Sequence, residues 1–235
     1  MPLVYEKEIN ITMSKLRRSF KQIANSQGFT LIEMAIVLII IGIIIGAVIK
    51  GKDLIRSAEQ KKIYTKYLNA WRMAYANVYD RTGKRLGDFY STDSSSKGQD
   101  GKADTDSNSD GSISDIERGY LKTGDPAGTG FRGLDNVGLT APSTNTGNCW
   151  EYTYTDKDGG GHKLSVAFKY DPNAKYNYMW ITELPNELGM ALDTIIDNEA
   201  NGLSGDFLCF NPGDTINSDW KEPSTEVSAR WKMDF

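Results

Sequence analysis

The sequence is poor in the side chains that most metal and nucleophilic sites require. Its 235 residues include one histidine, His162, and two cysteines, Cys149 and Cys209. Three such residues are too few for a four-ligand Cys/His zinc site, and nothing that resembles a nucleophile elbow surrounds the histidine. A P-loop and other cofactor-binding glycine loops are missing as well. We therefore expect a protein that is not an enzyme.

An excess of positive charge is also lacking. The chain carries 27 Lys and Arg against 31 Asp and Glu, for a formal net charge of −4. Proteins that bind nucleic acid nonspecifically do so through many Lys and Arg contacts to phosphates. The acidic balance therefore predicts that nucleic acid is not a partner.

Long apolar runs are absent with one exception, which spans residues 29–49. Within these 21 residues only Thr30 and Glu33 are conventionally polar. A helix of this length measures about 31 Å, close to the hydrocarbon thickness of a bilayer. The run predicts a transmembrane helix, and the alternative is a buried core helix. We prefer the membrane, because the run leaves no polar face to turn toward water.

The residues before the apolar run fix its orientation. They are basic and polar, and they include Lys15, Arg17, Arg18 and Lys21. The positive-inside tendency predicts a cytoplasmic amino terminus and export of everything that follows the run. Met13 is a second candidate for the true start, and the sequence does not choose between it and Met1.

The junction between the two segments carries a specific motif, in which residues 28–34 read GFTLIEM. A glycine precedes an aromatic residue, and a glutamate follows four positions later, ahead of the apolar run. This pattern resembles the class III signal of type IV pilins and type II secretion pseudopilins. Many members of that family carry a proline about one turn beyond the run, whereas this sequence has Lys50 and Gly51 there.

The resemblance implies a processing pathway. Prepilin peptidase would cleave between Gly28 and Phe29 and would then methylate the new amino group of Phe29. Glu33 would pair with the amino group of Phe29 on a neighbouring subunit and set the register of assembly. The alternative for Glu33 is that its carboxylate simply extends to the membrane interface, because a charge in the hydrocarbon is costly.

The apolar helix is expected to continue outside the membrane. Over residues 50–82 apolar and aromatic residues recur mostly at spacings of three and four, which predicts an amphipathic helix that ends near Gly83. The resemblance implies an α+β pilin-like fold, in which one long helix packs on a small carboxy-terminal antiparallel sheet after a long αβ loop. Five segments result: a cleaved leader (1–28), a membrane helix (29–49), its continuation (50–82), a loop region (83–148) and a sheet region (149–235).

The loop region is rich in Ser, Asp, Gly, Thr and Asn, and residues 106–117 match the complete calcium-loop pattern D-x-[DN]-x-[DN]-G-x5-E. This segment resembles an EF-hand loop, although no incoming helix is expected before it. Calcium binding is our prediction, and the alternative is a solvated acidic loop. The predicted ligands are Asp106, Asn108, Asp110, Ser112, Ser114 and Glu117.

The sheet region shows alternating strands at residues 149–155 and 163–170, joined by a glycine-rich turn. We also expect a strand at 176–182, a helix at 188–199 and a strand at 206–210. Cys149 and Cys209 both lie on the exported side, where disulfides are stable. We expect them to form a bridge, and the alternative is two buried free thiols. His162 is expected to be exposed beside the turn.

Together these features predict a structural subunit of a type IV pilus-like filament. Its expected partners are prepilin peptidase, identical or related subunits, an inner-membrane assembly platform and the lipid bilayer. It would first lie in the inner membrane as a single-pass protein and then enter a periplasmic or cell-surface filament. The alternatives are a pseudopilin of a type II secretion system, or a minor tip subunit that acts as an adhesin, for which Trp220 and Trp231 are candidate surface aromatics.

Overall fold

The computed structural model describes residues 28–88, 101–103, 105, 113–124, 133–210, 218–220 and 226–233. A continuous helical stretch comes first. It consists of α1 (Leu31–Lys62), a π-helical segment (Ile63–Leu68) and α2 (Asn69–Thr82). Gly83 ends α2 in the left-handed conformation, with φ of 68°, and its N–H donates to the Tyr79 carbonyl. The predicted helix and its glycine cap are thereby confirmed.

The chain divides into two units, of which the first ends at Asp53 and the second begins at Leu54. The described part of the first unit is a helix, and α1 has no buried residue along its length. It is the one helix among the described residues that is long and apolar enough to cross a membrane. The second unit contains the hydrophobic core and all the strands of the sheet.

The sheet has five strands, which are β1 (Glu151–Thr155), β2 (Gly161–Asp171), β3 (Tyr176–Pro185), β4 (Phe207–Phe210) and β5 (Glu226–Met233). Their spatial order is β1-β2-β3-β5-β4, and every neighbouring pair is antiparallel. A long amino-terminal helix and an antiparallel sheet make an α+β, pilin-like fold, as the sequence predicts.

Aromatic residues pack the helix against the sheet. The rings of Tyr75 and Phe168 are 4.9 Å apart, and that of Trp71 lies 6.1 Å from Phe168 in an edge-on arrangement. Two polar atoms of this face also reach the start of β1, because the Tyr67 hydroxyl donates to the Trp150 carbonyl at 2.7 Å. The indole of Trp71 donates to the carbonyl of Cys149 at 3.1 Å. The amphipathic stripe is therefore a packing face.

Two elements lie where the sequence predicts none. Strand β5 inserts between β3 and β4, and its Val227, Ala229, Trp231 and Met233 alternate into the core. Trp231 is 2% exposed, so it is not the surface aromatic that the adhesin alternative requires. Helix α3 (Asp115–Thr123) lies within the region expected to be loop.

Helix α4 (Asn186–Asp197) lies between β3 and β4, close to the predicted 188–199. Its Gly189 leaves room for the ring of Trp220, which a Cβ at that position would strike. The indole N–H of Trp220 donates to Asp193 at 2.7 Å, and this ring is half-buried. Trp220 is therefore also part of the packing and does not stand free on the surface.

Candidate functional site

The predicted processing junction is accessible. Gly28, Phe29 and Thr30 precede the first residue of α1 and are all exposed, and the Phe29 side chain is 78% exposed. Nothing lies within 4 Å of the position that a Cβ would take on Gly28. The peptide bond between Gly28 and Phe29 thus lies in non-helical, exposed chain, which is the form in which a protease takes its substrate.

Glu33 begins α1 by capping it. Its Oε2 atom accepts hydrogen bonds from the backbone N–H of Thr30 at 2.7 Å and from the Thr30 hydroxyl at 2.8 Å. In return the N–H of Glu33 donates to the Thr30 hydroxyl at 3.3 Å. This reciprocal pairing is a capping box, which satisfies N–H groups that the first turn of a helix leaves without partners. Glu33 therefore has a local role in capping α1, and its role between subunits stays a prediction.

The front of α1 presents an apolar surface on all sides. Every large hydrophobic residue between Leu31 and Ile49 is at least 40% exposed, and Leu31 reaches 92%. Soluble monomers rarely expose contiguous apolar patches above a few hundred Å². A surface of this kind needs lipid or other apolar helices around it.

The predicted calcium loop is only partly within the described residues. Asp106, Asn108, Asp110 and Ser112 lie outside them, whereas Ser114 and Glu117 lie at the start of α3. Among the residues that the structure describes, no group of three or more His, Cys, Asp or Glu side chains is arranged to hold a metal ion. The calcium prediction thus depends on a ligand set of which the structure describes two members.

Ser114 and Glu117 form a second capping box. Glu117 Oε2 accepts from the N–H of Ser114 and from its hydroxyl, both at 2.8 Å, and the N–H of Glu117 donates back to that hydroxyl at 3.3 Å. Glu117 is 5% exposed. The guanidinium of Arg118 further fixes the entry to the helix by donating to the carbonyl of Ile113 at 2.7 Å. The last predicted ligand is therefore held in one place by the helix that follows the loop.

The structure does not show the predicted disulfide between Cys149 and Cys209. Cys149 lies just before β1 and Cys209 lies on β4, and these two strands are the opposite edges of the sheet. Four strand spacings of about 4.8 Å separate the edges, whereas the Cα atoms of a disulfide lie about 4.4–6.8 Å apart. Burial raises the pKa of the Cys149 thiol to about 11, so this thiol is protonated at neutral pH.

His162 is half-buried and not exposed as the sequence predicts. Its Nε2 atom lies 2.9 Å from Asp156 Oδ2, and its Nδ1 atom lies 2.9 Å from Glu226 Oε1. Desolvation lowers the pKa of His162, but hydrogen bonds to the two carboxylates outweigh it and raise the pKa above the ordinary value of 6.5. The hydrogen bond from His162 is likewise the main cause that lowers the pKa of Asp156. These contacts tie the β1–β2 turn to the start of β5.

A buried carboxyl on α4 is a further feature that sequence reasoning missed. Asp193 Oδ2 accepts from the indole of Trp220 and from the N–H of Asn201, both at 2.7 Å. Burial raises the pKa of Asp193 to about 6. An acidic residue among apolar neighbours on a predicted helix is the signal that could have drawn attention to it.

Comparison with known proteins bears on the amino-terminal segment. Residues 23–49 match the family model described as the prokaryotic N-terminal methylation motif. The match includes the Gly28–Phe29 junction, Glu33 and the whole apolar run. No curated protein and no solved structure matches the chain. The match supports the resemblance to type IV pilins and pseudopilins, and it indicates a structural subunit rather than an enzyme.

Proposed function

We propose that this chain is the precursor of a subunit of a type IV pilus-like filament. Prepilin peptidase cleaves it after Gly28 and methylates Phe29, and the apolar helix then holds the mature chain in the inner membrane. The leader contains five of the basic and two of the acidic residues, so residues 29–235 carry 22 basic and 29 acidic residues, a net charge of −7. This acidic part lies on the far side of the membrane from the leader.

The observation that carries the proposal is the combination of an exposed cleavage junction with an apolar helix that has no buried residue in the part of the chain that the structure describes. A lipid bilayer covers such a surface before assembly. Packing of the same helices from many subunits covers it afterwards, since apolar helices also associate with each other in the absence of water. A polymer whose core consists of these helices would keep the apolar surface of residues 29–49 away from water after the subunit leaves the bilayer.

Glu33 has two possible roles in this pathway, and substitutions separate them. Glu33→Gln keeps an oxygen that can accept from Thr30 but removes the charge, whereas Glu33→Ala removes both. Thr30→Ala removes the hydroxyl of the same capping box and keeps the carboxylate. If Glu33 pairs with the amino group of a neighbouring Phe29, Glu33→Gln and Glu33→Ala lose filaments and Thr30→Ala retains them.

The test is expression of the full chain with prepilin peptidase and an assembly system, followed by mass spectrometry of the amino terminus. We expect a mature chain that begins at a singly methylated Phe29. Gly28→Val should block cleavage, whereas Gln27→Ala serves as the matched control and should be processed normally. An uncut chain that remains stable in the presence of active peptidase would overturn the proposal.

Electron microscopy of material sheared from the cell surface distinguishes the alternatives. Long filaments that consist mainly of this chain indicate a major pilus subunit. Filaments that contain it at low copy number indicate a minor or tip subunit. Cleaved protein without surface filaments, together with a defect in protein secretion when the gene is deleted, indicates a pseudopilin.

We also propose that residues 106–117 bind calcium in the exported domain. The ligand pattern is complete in the sequence, and oxygen ligands on alternate residues suit this ion. Ser114 and Glu117 are the ninth and twelfth residues of the pattern, and two hydrogen bonds from Ser114 hold the Glu117 carboxylate at the beginning of α3. The positive charge of a calcium ion would offset the negative charge of this acidic loop. Exported calcium modules function at about 10⁻⁴–10⁻³ M, so a weak site suffices.

A further inference from the structure

Strand β1 lies at one edge of the sheet, next to β2 alone. The N–H of Val166 on β2 donates to the Trp150 carbonyl at 2.9 Å. Because the backbone groups of a strand point to alternate sides, Glu151 and Thr153 direct theirs away from β2. Outward backbone groups at a sheet edge are a template on which another strand can pair.

One side chain covers both backbone groups of Thr153. The amide Nδ2 of Asn145 donates to the Thr153 carbonyl at 2.7 Å, and its Oδ1 accepts from the N–H of Thr153 at 2.9 Å. A residue on a neighbouring antiparallel strand would make these same two hydrogen bonds. The asparagine amide therefore occupies the position of an additional strand.

Glu151, the other outward residue, is covered by the same loop. The Thr146 hydroxyl donates to the Glu151 carbonyl at 3.0 Å, and the N–H of Glu151 donates to the Asn148 carbonyl at 3.3 Å. The Glu151 carboxylate also accepts from Asn148 Nδ2 at 2.9 Å and forms an ion pair with Lys163 at 2.9 Å. Its negative charge is thus compensated within the sheet.

The sequence of β1 carries few of the features that usually protect an edge. It reads EYTYT, without lysine or proline, and threonine and tyrosine favour strands. Its register with β2 is unbroken from Glu151 to Thr155, so no bulge bends it away. The protection of this edge therefore comes from the loop at residues 145–148.

The opposite edge of the sheet is covered by main chain instead. On β4 the N–H of Cys209 donates to the Gly202 carbonyl at 2.9 Å, and the Cys209 carbonyl accepts from the N–H of Ser218 at 3.0 Å. Backbone partners do not depend on the identity of a side chain. At β1, in contrast, one substitution at Asn145 removes two of the covering hydrogen bonds.

The partner that fits an uncovered β1 is the same strand of a second copy of this chain. A two-fold axis at Thr153 would make the two strands antiparallel, with Thr153 opposite Thr153 and Glu151 opposite Thr155. No like charges meet in this arrangement, and threonine opposite threonine is a favourable cross-strand pair. The edge is therefore complementary to itself.

We propose that the Asn145 amide keeps the β1 edge closed, and that its removal lets two copies of this chain pair through β1 into one continuous antiparallel sheet. The two-fold symmetry uses the same surface of both copies, so the product is a closed dimer. The covered β4 edges do not extend that sheet into a fibre. The proposal depends on the sheet alone, so it can fail without affecting the filament proposal.

The test compares variants of the mature full-length chain in detergent by size-exclusion chromatography with light scattering. We expect Asn145→Ala to dimerise with an apparent dissociation constant at least about tenfold lower than that of the unaltered chain, because neither copy has to break two hydrogen bonds first. Asn173→Ala, at an exposed asparagine between β2 and β3, is the matched control and should behave like the unaltered chain. All variants share residues 29–49, so association through the apolar helix affects them equally.

Two further variants locate the contact. Thr153→Glu places a carboxylate opposite Lys163 within the chain but opposite a second carboxylate across the two-fold axis, so Asn145→Ala/Thr153→Glu should lose the added association. Asn145→Asp keeps an acceptor for the Thr153 N–H and loses the donor. It should dimerise to an intermediate extent, and it provides the test if Asn145→Ala does not fold.

Hydrogen exchange at low concentration examines the cover itself. The amide of Thr153 should exchange about tenfold faster in Asn145→Ala than in the unaltered chain, because its acceptor is gone. The amide of Tyr152, which faces β2, should keep its protection in both chains.

Three outcomes would overturn the proposal. A folded Asn145→Ala chain that associates no more than the unaltered chain would show that the edge stays closed without the amide. Dimers that persist in Asn145→Ala/Thr153→Glu would place the contact elsewhere on the surface. Fibres that bind thioflavin T would show open-ended pairing in place of a two-fold dimer.

Discussion

Substitution of Glu117 separates calcium binding from helix capping. Glu117→Gln retains a side-chain oxygen for the two 2.8 Å hydrogen bonds from Ser114, and glutamine is an accepted member of a capping box. It loses the negative charge and the two-oxygen carboxylate that a calcium ion would use. Glu117→Ala loses both functions. The two variants should therefore differ in stability with and without calcium, and neither should gain the calcium-dependent stabilisation.

The magnitudes follow from linkage and from the cap. At 10 mM calcium a dissociation constant of about 10⁻⁴–10⁻³ M stabilises the folded domain by about 1.4–2.7 kcal/mol. For a chain of this size that corresponds to a rise of about 3–10 °C in melting temperature. Removal of the cap in Glu117→Ala should cost about 0.5–2 kcal/mol without any metal. Glu117→Gln should cost little without metal and lose most of the calcium-dependent rise.

The assay is thermal unfolding of the mature chain in detergent, with and without calcium. Magnesium at the same concentration controls for ionic strength, and Asp158→Asn controls for loss of an acidic residue outside the loop. A full calcium-dependent rise in Glu117→Gln would refute the assignment of Glu117 as a ligand. Identical melting temperatures for the unaltered chain with calcium and with magnesium would refute a calcium site at residues 106–117.

Three further predictions concern the globular unit. Because the pKa of His162 is raised in the folded state, protonated His162 stabilises the fold fully below about pH 6.5. This stabilisation is lost as the pH rises through the folded-state pKa, and the melting temperature falls. His162→Gln should make that fall smaller. An unchanged pH profile would contradict a stabilising role for the contacts of His162 with Asp156 and Glu226. Tyr67→Phe should lower the free energy of unfolding by about 0.5–1.5 kcal/mol in denaturant titrations, because it removes one hydrogen bond, while the Trp150 carbonyl keeps the N–H of Val166 as a donor. A reducing agent should not change the melting temperature, since no disulfide joins Cys149 and Cys209, and a drop would indicate one.

The elements that local signals define are predictable from the sequence. The apolar run, the spacing of three and four that follows it and the left-handed glycine at Gly83 predict the helix and its end. The turn at Asp156 and the alternation on either side predict the hairpin of β1 and β2. In each case the determining contacts lie within a few residues of one another along the chain.

The elements that depend on pairing between distant parts of the chain are harder to predict from the sequence. Residues 226–233 alternate clearly, but their place between β3 and β4 follows from strand order, which a single sequence does not specify. The same order places Cys149 and Cys209 at opposite edges, and this is why a bridge that suits the compartment does not form. Loop closure alone does not exclude such a bridge, because the cost of closing a loop grows slowly with its length.

The start of α3 shows how one pattern can serve two interpretations. Ser114 and Glu117 fit the calcium-loop pattern, and they are also the serine and glutamate of a capping box at the required spacing. The surrounding Ser, Asp and Gly residues obscured a nine-residue helix with a buried Leu121. A capping signature at the edge of a polar region therefore predicts a helix even where the composition favours loop.

The π-helical segment at Ile63–Leu68 affects where the helix can tolerate the deletion of one residue. A π-helical turn closes its hydrogen bond over one more residue than an α-helical turn does. Deletion of one codon within the segment would let the backbone return to ordinary α-helical bonding, while Trp71 and Tyr75 beyond it still face the sheet. A deletion of the same size further along α2 would rotate the residues that follow it away from the core. A loss of one residue is thus better absorbed at an exposed position of this segment, away from the buried Ile63, Tyr67 and Leu68, than within α2.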